Sequence, residues 1–384
     1  MPPITNKKIA IIGGGPGGLT LARLLQMNGA DVNVYERDAG PAVRVQGATL
    51  DLHYDSGLKA LQVAGLMDDF KANYRPGADR MHVVDKNAQI HFEDSFESDD
   101  DNELARPEID RGPLRDILLN SLLPGTVILD SNFATMTPDG EGWQIGFKNK
   151  TVIYADLAIG ADGANSRIRP YVTPIKPFYS GVTALEGAVY HSAENCPNIH
   201  ELLQGGKIFA LDDGKSLIVS SKGDGSLAFY TSFSAPETWV SDCGIDFTDK
   251  AQVLAWFKQE YRGWDAIWDE LFENVTDAFI PRPQYCMPFD QTWEALPNLT
   301  LLGDAAHLMP PFAGEGVNMA MLDALELSEC LLNAGFANCK EAIAFYEQKM
   351  RSRASEVAKD TMDQTEALHS AGNLDHLLAM FGER

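Results

Sequence analysis

Lys8-Ile9-Ala10-Ile11-Ile12 contains a continuous apolar run, the pattern of a strand buried on both faces of a parallel sheet. Glycines between Gly13 and Gly18 break it. Leu19, Leu21, Ala22, Leu24 and Leu25 then predict a helix that is apolar almost all round and ends at Gly29. Val32-Asn33-Val34-Tyr35 supplies a second strand, ending at Glu36. Helical spacing returns from Arg111 to Leu123, with Leu114, Ile117, Leu118 and Leu122 on one side. Strands are predicted at 126–129, 143–147 and 152–159. From about 180 to 280 the pattern changes to alternation at 207–211, 216–220 and 227–233, which reads as antiparallel strands. Trp-containing helical segments follow near 248–261 and 264–273. Leu299-Thr300-Leu301-Leu302 is again a buried-strand pattern. After Gly316 a long helix carries Val317, Ala320, Met321, Ala324, Leu325, Leu331 and Leu332. The tail reads as helical from 340 to about 370, with a short apolar piece at 374–381. The predicted fold class is α/β: a Rossmann-like domain, an inserted β-sheet domain and long C-terminal helices.

Composition narrows the function classes. The chain has 384 residues, 45% of them hydrophobic, and six Trp, enough for a sizeable core and two or three structural units. Against 31 Lys plus Arg stand 55 Asp plus Glu, a formal charge of −24. That balance argues against nucleic acid or an anionic membrane as partner, since both need a basic footprint. The acidic run at 93–103 reads as a loop solvated by its own charges. No apolar run approaches the roughly 18 residues of a membrane helix. The N-terminus runs into the first strand without signal-peptide anatomy, which predicts a cytoplasmic protein. Cys196, Cys243, Cys286, Cys330 and Cys339 contain no CxxC pair, so neither a disulfide framework nor a metal module is expected. A small-molecule substrate and a monomer are the expectation.

The glycine turn Gly13-Gly14-Gly15-Pro16-Gly17-Gly18 satisfies G-x-G-x-x-G between a strand and a helix. Gly13 permits the tight turn, Gly15 lets the backbone approach a pyrophosphate, and Gly18 lets helix and strand pack closely; Gly17 belongs to the same cradle. Glu36 stands at the end of the next strand, where its carboxylate can accept from ribose hydroxyls. Further on, Gly160-Ala161-Asp162-Gly163-Ala164-Asn165-Ser166-Arg167 and Gly303-Asp304-Ala305-Ala306-His307 each follow a strand. Asp304 is placed to bind a ribityl hydroxyl. The loop Pro310-Pro311-Phe312-Ala313-Gly314-Glu315-Gly316-Val317-Asn318 opens the long helix and can lay N–H groups against a flavin edge and its pyrophosphate. Any one Asp-Gly or Gly-Asp pair is an ordinary turn; the three elements in this order point to FAD. Arg37, Arg44, Arg106, Arg111, Arg115, Arg167 and Arg169 lie beside these segments and would make a positive cleft in an acidic body. His307 and His53 read as loop-fixing residues, and Cys196 and Cys286 have no neighbouring base. Trp239, Trp256, Trp264, Trp268 and Trp293 read as core or domain-interface residues, and Met319 and Met321 as helix packing.

GGGPGG with Glu36, GADGANSR and GDAAHLMPPFAGEGVN together resemble the fingerprints of the FAD-dependent aromatic-hydroxylase-type (group A) flavoprotein monooxygenases, over nearly the whole chain. Within that family the chain looks most similar to the tetracycline-inactivating monooxygenases. Gly47-Ala48-Thr49-Leu50-Asp51-Leu52-His53, Pro107-Glu108-Ile109-Asp110-Arg111 with Leu114-Arg115, and residues 304–311 carry that likeness. The resemblance implies a fold of the p-hydroxybenzoate-hydroxylase (PHBH) type. An FAD-binding domain would occupy 1–67, 91–181 and 275–316, a substrate domain 68–90 and 182–274, and bridging helices 317–384. It further implies Asp51, Arg111 and Asp304 as FAD contacts and Arg44 as the residue associated with NADPH. In the implied chemistry NADPH reduces FAD, and a C4a-hydroperoxide formed with O2 hydroxylates an aromatic or enolic carbon. The protein then has to bind, orient and exclude water, and no general base is named. With one dinucleotide fingerprint, NADPH would visit transiently. The tetracycline enzymes hold the drug with a Gln, an Arg and a His; the aligned substrate positions here are Glu186, Lys207 and Ala228. Lys207 replaces a charge but not a bidentate fork, and Ala228 removes a donor. The sequence after Lys340 diverges as well.

Three other classes remain open at this point. They are a related FAD dehydrogenase or halogenase (no W-x-W-x-I-P run is present), a flavin- or drug-holding protein without turnover, and an NAD-dependent dehydrogenase.

Overall fold

The computed structural model describes residues 1–40, 47–94 and 107–382. Its strands in chain order are β1 (Lys8–Ile12), β2 (Asp31–Tyr35), β3 (Leu50–Asp51), β4 (Met81–Val84), β5 (Ile90–Asp94), β6 (Glu108–Ile109), β7 (Val127–Ile128), β8 (Phe133–Asp139) and β9 (Gly142–Phe147). There follow β10 (Val152–Ala155), β11 (Leu157–Gly160), β12 (Phe178–Val189), β13 (Lys207–Asp212), β14 (Lys215–Ser221), β15 (Leu227–Ser234), β16 (Ile280–Cys286) and β17 (Leu299–Leu301). The helices that bear on the site are α1 (Pro16–Met27), α2 (Arg111–Asn120), α3 (Lys250–Glu260), α4 (Asp269–Glu273), α5 (Gly316–Leu332), α6 (Cys339–Leu368) and α7 (Asn373–Gly382).

A parallel sheet of order β17-β11-β1-β2-β7 forms the Rossmann-like body. The three-stranded antiparallel sheet β10-β9-β8 lies in the same unit. The expected single strand at 152–159 is two. Asp156 breaks it: its backbone N–H donates to Lys8 O (2.9 Å) and its Oδ2 accepts from Lys8 N (2.8 Å). The chain thereby switches from the antiparallel sheet to the parallel one.

The second unit is a seven-stranded sheet, β16-β12-β15-β14-β13-β4-β5. It extends past the boundaries drawn from sequence, because β5 pairs with β4, β12 begins at Phe178, and β16 pairs with β12. Pro281 and Pro283 hid β16. They are tolerated because it is an edge strand, where a missing N–H breaks no inner ladder.

Strand alternation gives this sheet two faces. Leu185, Val189, Val219, Leu227 and Phe229 pack against α3 and α4 residues Val253, Phe257, Leu271 and Phe272, around the fully buried Trp268. Burying each Phe or Leu there contributes about 1.5–3 kcal/mol. Trp239, Trp256 and Trp264 line this core, whereas Trp293 joins the Rossmann core. The opposite face presents Glu186, Ala228, Tyr230, Ile218 and Phe209, and is partly roofed by Leu368 of α6, Leu374 and Leu377 of α7 and the loop residue Phe312. No helix among the described residues is long and apolar enough to cross a membrane.

Candidate active site

The glycine turn sorts into distinct roles. Gly13 has φ +115°, and a Cβ there would stand 2.2 Å from Ala161 O; one on Gly18 would stand 2.2 Å from Gly13 O. Both are backbone-packing positions. Around Gly15 nothing lies within 4 Å of a Cβ position, so this residue alone of the three motif glycines opens onto ligand space. Gly17 does not. A Cβ there would meet Leu302 Cδ1 at 2.7 Å and Ala320 O at 2.8 Å, so its missing side chain serves helix packing. It brings α1 and α5 together, and their N-termini converge as a result. Glu36 is buried, and both carboxylate oxygens are engaged, by Gly14 N (2.6 Å) and Asp38 N (2.9 Å). It therefore holds the turn while retaining lone pairs for a hydroxyl.

Opposite stands the Gly303-Asp304 turn. Gly303, at φ +58°, packs on Ala320, and its N–H donates to Asp323 Oδ2 (2.9 Å). Arg169 is buried and donates to the carbonyls of Asp304 (2.7 Å), Ala305 (2.7 Å) and Ala164. His307 pairs with Asp323 at 2.5 Å, Asp323 with Arg353 at 2.6 Å, and Arg353 with Glu326 at 2.5 Å. These groups fix the turn so that no described residue hydrogen-bonds the Asp304 carboxylate. Burial pushes that carboxyl up, against the lowering charges of His307, Arg111 and Arg169. A Cβ on Gly316, the first residue of α5, would lie 3.9 Å from Asp304 Oδ1, and one on Gly314 3.2 Å from Asp51 Oδ1. Asp51, Asp304, Gly314 and the N-terminal turn of α5 thus share one place. Pro311 is exposed beside it, and Val317 leans on the Rossmann core. Arg111, at the start of α2, donates to Ala48 O (3.0 Å).

Facing these loops is the side of the seven-stranded sheet that turns away from α3 and α4. Tyr230 Oη accepts from Ala48 N (3.2 Å), and Glu186 Oε2 accepts from Arg282 Nε (2.9 Å) and Nη2 (2.8 Å). Lys207 is ion-paired with the buried Glu108 of β6, whose carboxyl burial pushes up and Lys207 pulls down. His369 donates from Nδ1 to Thr365 O (2.6 Å). Its Nε2 therefore accepts from Ser232 Oγ (2.7 Å), which in turn accepts from Ser216 Oγ (2.5 Å). The His369 ring also meets Phe312 edge-on at 4.8 Å.

Residues 6–177 and 296–361 match the FAD binding domain family. The chain belongs to it. Among curated relatives, monooxygenase asqM of Emericella nidulans is 29% identical, covering 93% of this chain and 94% of its own. Among solved structures, HpxO of Klebsiella pneumoniae complexed with FAD and uric acid superposes with TM-score 0.77 at 21% identity, over 98% of this chain and 92% of that one. The tetracycline destructase Tet(55) gives TM-score 0.77 at 19% identity, over 99% and 96%. The protein is an FAD-dependent monooxygenase with the α/β fold of this family.

The arrangement fits the cofactor the family implies: an open cradle at Gly15, Glu36 at the end of β2, a half-buried acid at Asp304 with no hydrogen-bonded partner among the described residues, and two converging helix N-termini. Several of the expected residues also make contacts within the chain. Asn318 is fully buried; its Oδ1 accepts from His53 N (2.9 Å) and Ser56 Oγ, and its Nδ2 donates to Asp51 O (2.9 Å). It clamps the Asp51 loop to α5. Asp162 Oδ2 accepts from Arg167 N (2.7 Å) and caps its own turn, while its Oδ1 is buried and free of described partners. Arg37 is largely exposed, 3.9 Å from Asp38, and Arg115 lowers the Asp38 carboxyl that burial raises. Arg44 lies outside the described residues. Lys207 points its charge at Glu108 rather than into open space, and Ala228 is buried.

His307 and His53 hold loops, as expected; His53 lies 3.1 Å from Asp51 and 3.6 Å from Glu315. Burial pushes the Cys196 and Cys286 thiols up to about 12, where no thiolate forms at neutral pH. Sequence reasoning missed Tyr230, Arg282, Asp323, Arg353 and His369. Asp323 alone carried a signal, an acid within the apolar stripe of α5. A cavity of about 430 Å³ between β1, β2 and β10 contains none of these residues.

Proposed function

We propose that this monooxygenase uses NADPH and O2 to hydroxylate an aromatic or enolic small molecule other than tetracycline. One observation carries the reading: the polar and aromatic face of the seven-stranded sheet, with Tyr230, Ile218, Phe209 and Glu186, looks onto the loops that bear Asp51, Asp304 and the α5 N-terminus. Bound FAD would relay the electrons of NADPH to O2 and so supply the activated oxygen atom. Gly15, Glu36, Asp304 and the first turn of α5 would hold it. The sheet face orients an apolar ring, and Phe312, Leu374 and Leu377 exclude water above Phe209. Of the three positions that would grip a tetracycline, Glu186 is bound to Arg282, Lys207 to Glu108, and Ala228 has no polar atom.

The test is an NADPH-oxidation screen over tetracyclines, phenols and hydroxylated heteroaromatics, with mass detection of products. A yellow protein, oxygen-dependent NADPH oxidation stimulated by a phenolic compound and a product heavier by one oxygen are expected, with tetracyclines unchanged. A colourless protein that cannot be loaded with FAD would overturn the reading. NADPH oxidation that yields only peroxide with every compound would favour a non-hydroxylating FAD oxidoreductase.

A further inference from the structure

Glu186 and Tyr230 are directly opposed across β12 and β15, so their side chains stand side by side on the face that looks onto the cofactor loops. Each has one half of its hydrogen-bonding capacity used and the other open. Both Arg282 donors converge on Glu186 Oε2, and Oε1 makes no hydrogen bond to any described residue, although the side chain is only 7% exposed. Tyr230 Oη takes the Ala48 N–H as acceptor, and its own O–H has no acceptor among the described residues. The pair therefore offers one acceptor beside one donor, at the spacing of cross-strand neighbours.

We propose that this pair recognises the edge of a cyclic amide, with the ring N–H donating to Glu186 Oε1 and the adjacent carbonyl accepting from Tyr230 Oη. The substrate class is a fused aromatic lactam of the pyridone or quinolinone type. Arg282 occupies Glu186 Oε2, and a carboxylate offers acceptors only, which makes the site selective. A ring oxygen or an N-methyl group opposite Oε1 leaves a desolvated carboxylate without a donor, the penalty that makes sites of this kind discriminate strongly. Ile218 and Phe209 continue the same rows across the sheet and give the fused ring an apolar floor. The proposal rests on the hydroxylase reading of the site and names its substrate class.

The experiment uses the FAD-loaded protein and three bicyclic probes, quinolin-2(1H)-one, its isostere coumarin and 1-methylquinolin-2-one, with binding measured by calorimetry rather than by turnover. The lactam should bind at least tenfold more tightly than the lactone or the N-methyl compound. Glu186→Gln should bring the lactam-to-lactone ratio to within about twofold, because an amide nitrogen can donate to the ring oxygen. Tyr230→Phe should weaken lactam and lactone alike and leave their ratio unchanged. Equal binding of the three probes by the unmodified protein, absence of lactam binding, or an unchanged ratio in Glu186→Gln would overturn the proposal. A protein that fails to take up FAD refutes the hydroxylase reading instead.

Discussion

Asp323→Asn is the most informative single change, because one buried carboxylate joins three parts of the cofactor site. It accepts from Gly303 N, pairs with His307 at 2.5 Å and binds Arg353 at 2.6 Å, and it is fully buried. Removing one partner of a buried pair costs roughly 3–5 kcal/mol, since the remaining charge is left uncompensated. Here Arg353 keeps Glu326 while His307 loses its partner, so the lower end, about 3 kcal/mol, is expected at neutral pH.

The pH profile carries a second signature. Burial disfavours ionisation of both groups, but the mutual attraction prevails: Asp323 is lowered from 3.8 and His307 is raised from 6.5. Asp323's contribution is therefore present above the ordinary carboxylate value and lost as pH falls through its lowered native value. That of His307 is present below 6.5 and lost as pH rises through its raised native value. Urea unfolding across pH should show both limbs in the parent and neither in the variant, with FAD retention falling because Gly303 is released. A loss below about 1 kcal/mol with both limbs intact would refute the reasoning.

Asp304→Ala should raise the FAD dissociation constant at least tenfold, followed by flavin fluorescence. Apo-protein stability should be unchanged or slightly higher, because a half-buried acid without a hydrogen-bonded partner among the described residues is removed. Gly15→Ala should leave apo stability unchanged, since its φ of −76° suits alanine and its surroundings are open, yet weaken FAD binding. Gly17→Ala should instead cost stability by more than about 1 kcal/mol by pushing α1 off Ala320, and equal thermal midpoints for the two glycine variants would contradict this assignment. Lys207→Met should destabilise by about 3 kcal/mol at pH 8 through the stranded Glu108. Stability should recover as pH falls through the raised Glu108 value; a pH-independent loss in urea titrations would place the role of Lys207 elsewhere.

Most of the cofactor half was legible in the sequence because backbone geometry dictates residue type there. Gly13 must be glycine against Ala161 O, and Gly303 must accept φ +58° beside Ala320. Such requirements leave a fixed spacing that a reader can find. Gly17 and Asn318 carry a second demand that the motif does not display. Helix packing at Gly17 and loop clamping at Asn318 also require these residue types, and an internal contact leaves the same letter in the motif as a ligand contact. The strand break at Asp156 and the proline-bearing edge strand β16 were invisible for a related reason: each depends on which sheet a segment joins, and apolar periodicity reports burial without naming the partner.

The substrate half is written in pairings rather than in motifs. Glu186 alone reads as an amide lost from the tetracycline pattern, and Lys207 alone reads as an arginine weakened. The partners reverse both readings. Lys207 neutralises Glu108 on β6 and thereby ties the cofactor loop to the substrate sheet, while Arg282, 96 residues along the chain, turns Glu186 into an acceptor with one oxygen spoken for. Both pairings follow from strand register across long insertions, which no local pattern encodes. A site whose cofactor contacts are set by backbone geometry and whose specificity is set by cross-strand pairs can keep its flavin motifs intact while its substrate changes. The −24 charge of the chain fits that division. So acidic a chain repels polyanions at a distance, whereas under the proposed reading selection at the sheet face would turn on single donors and acceptors such as Glu186 Oε1 and Tyr230 Oη.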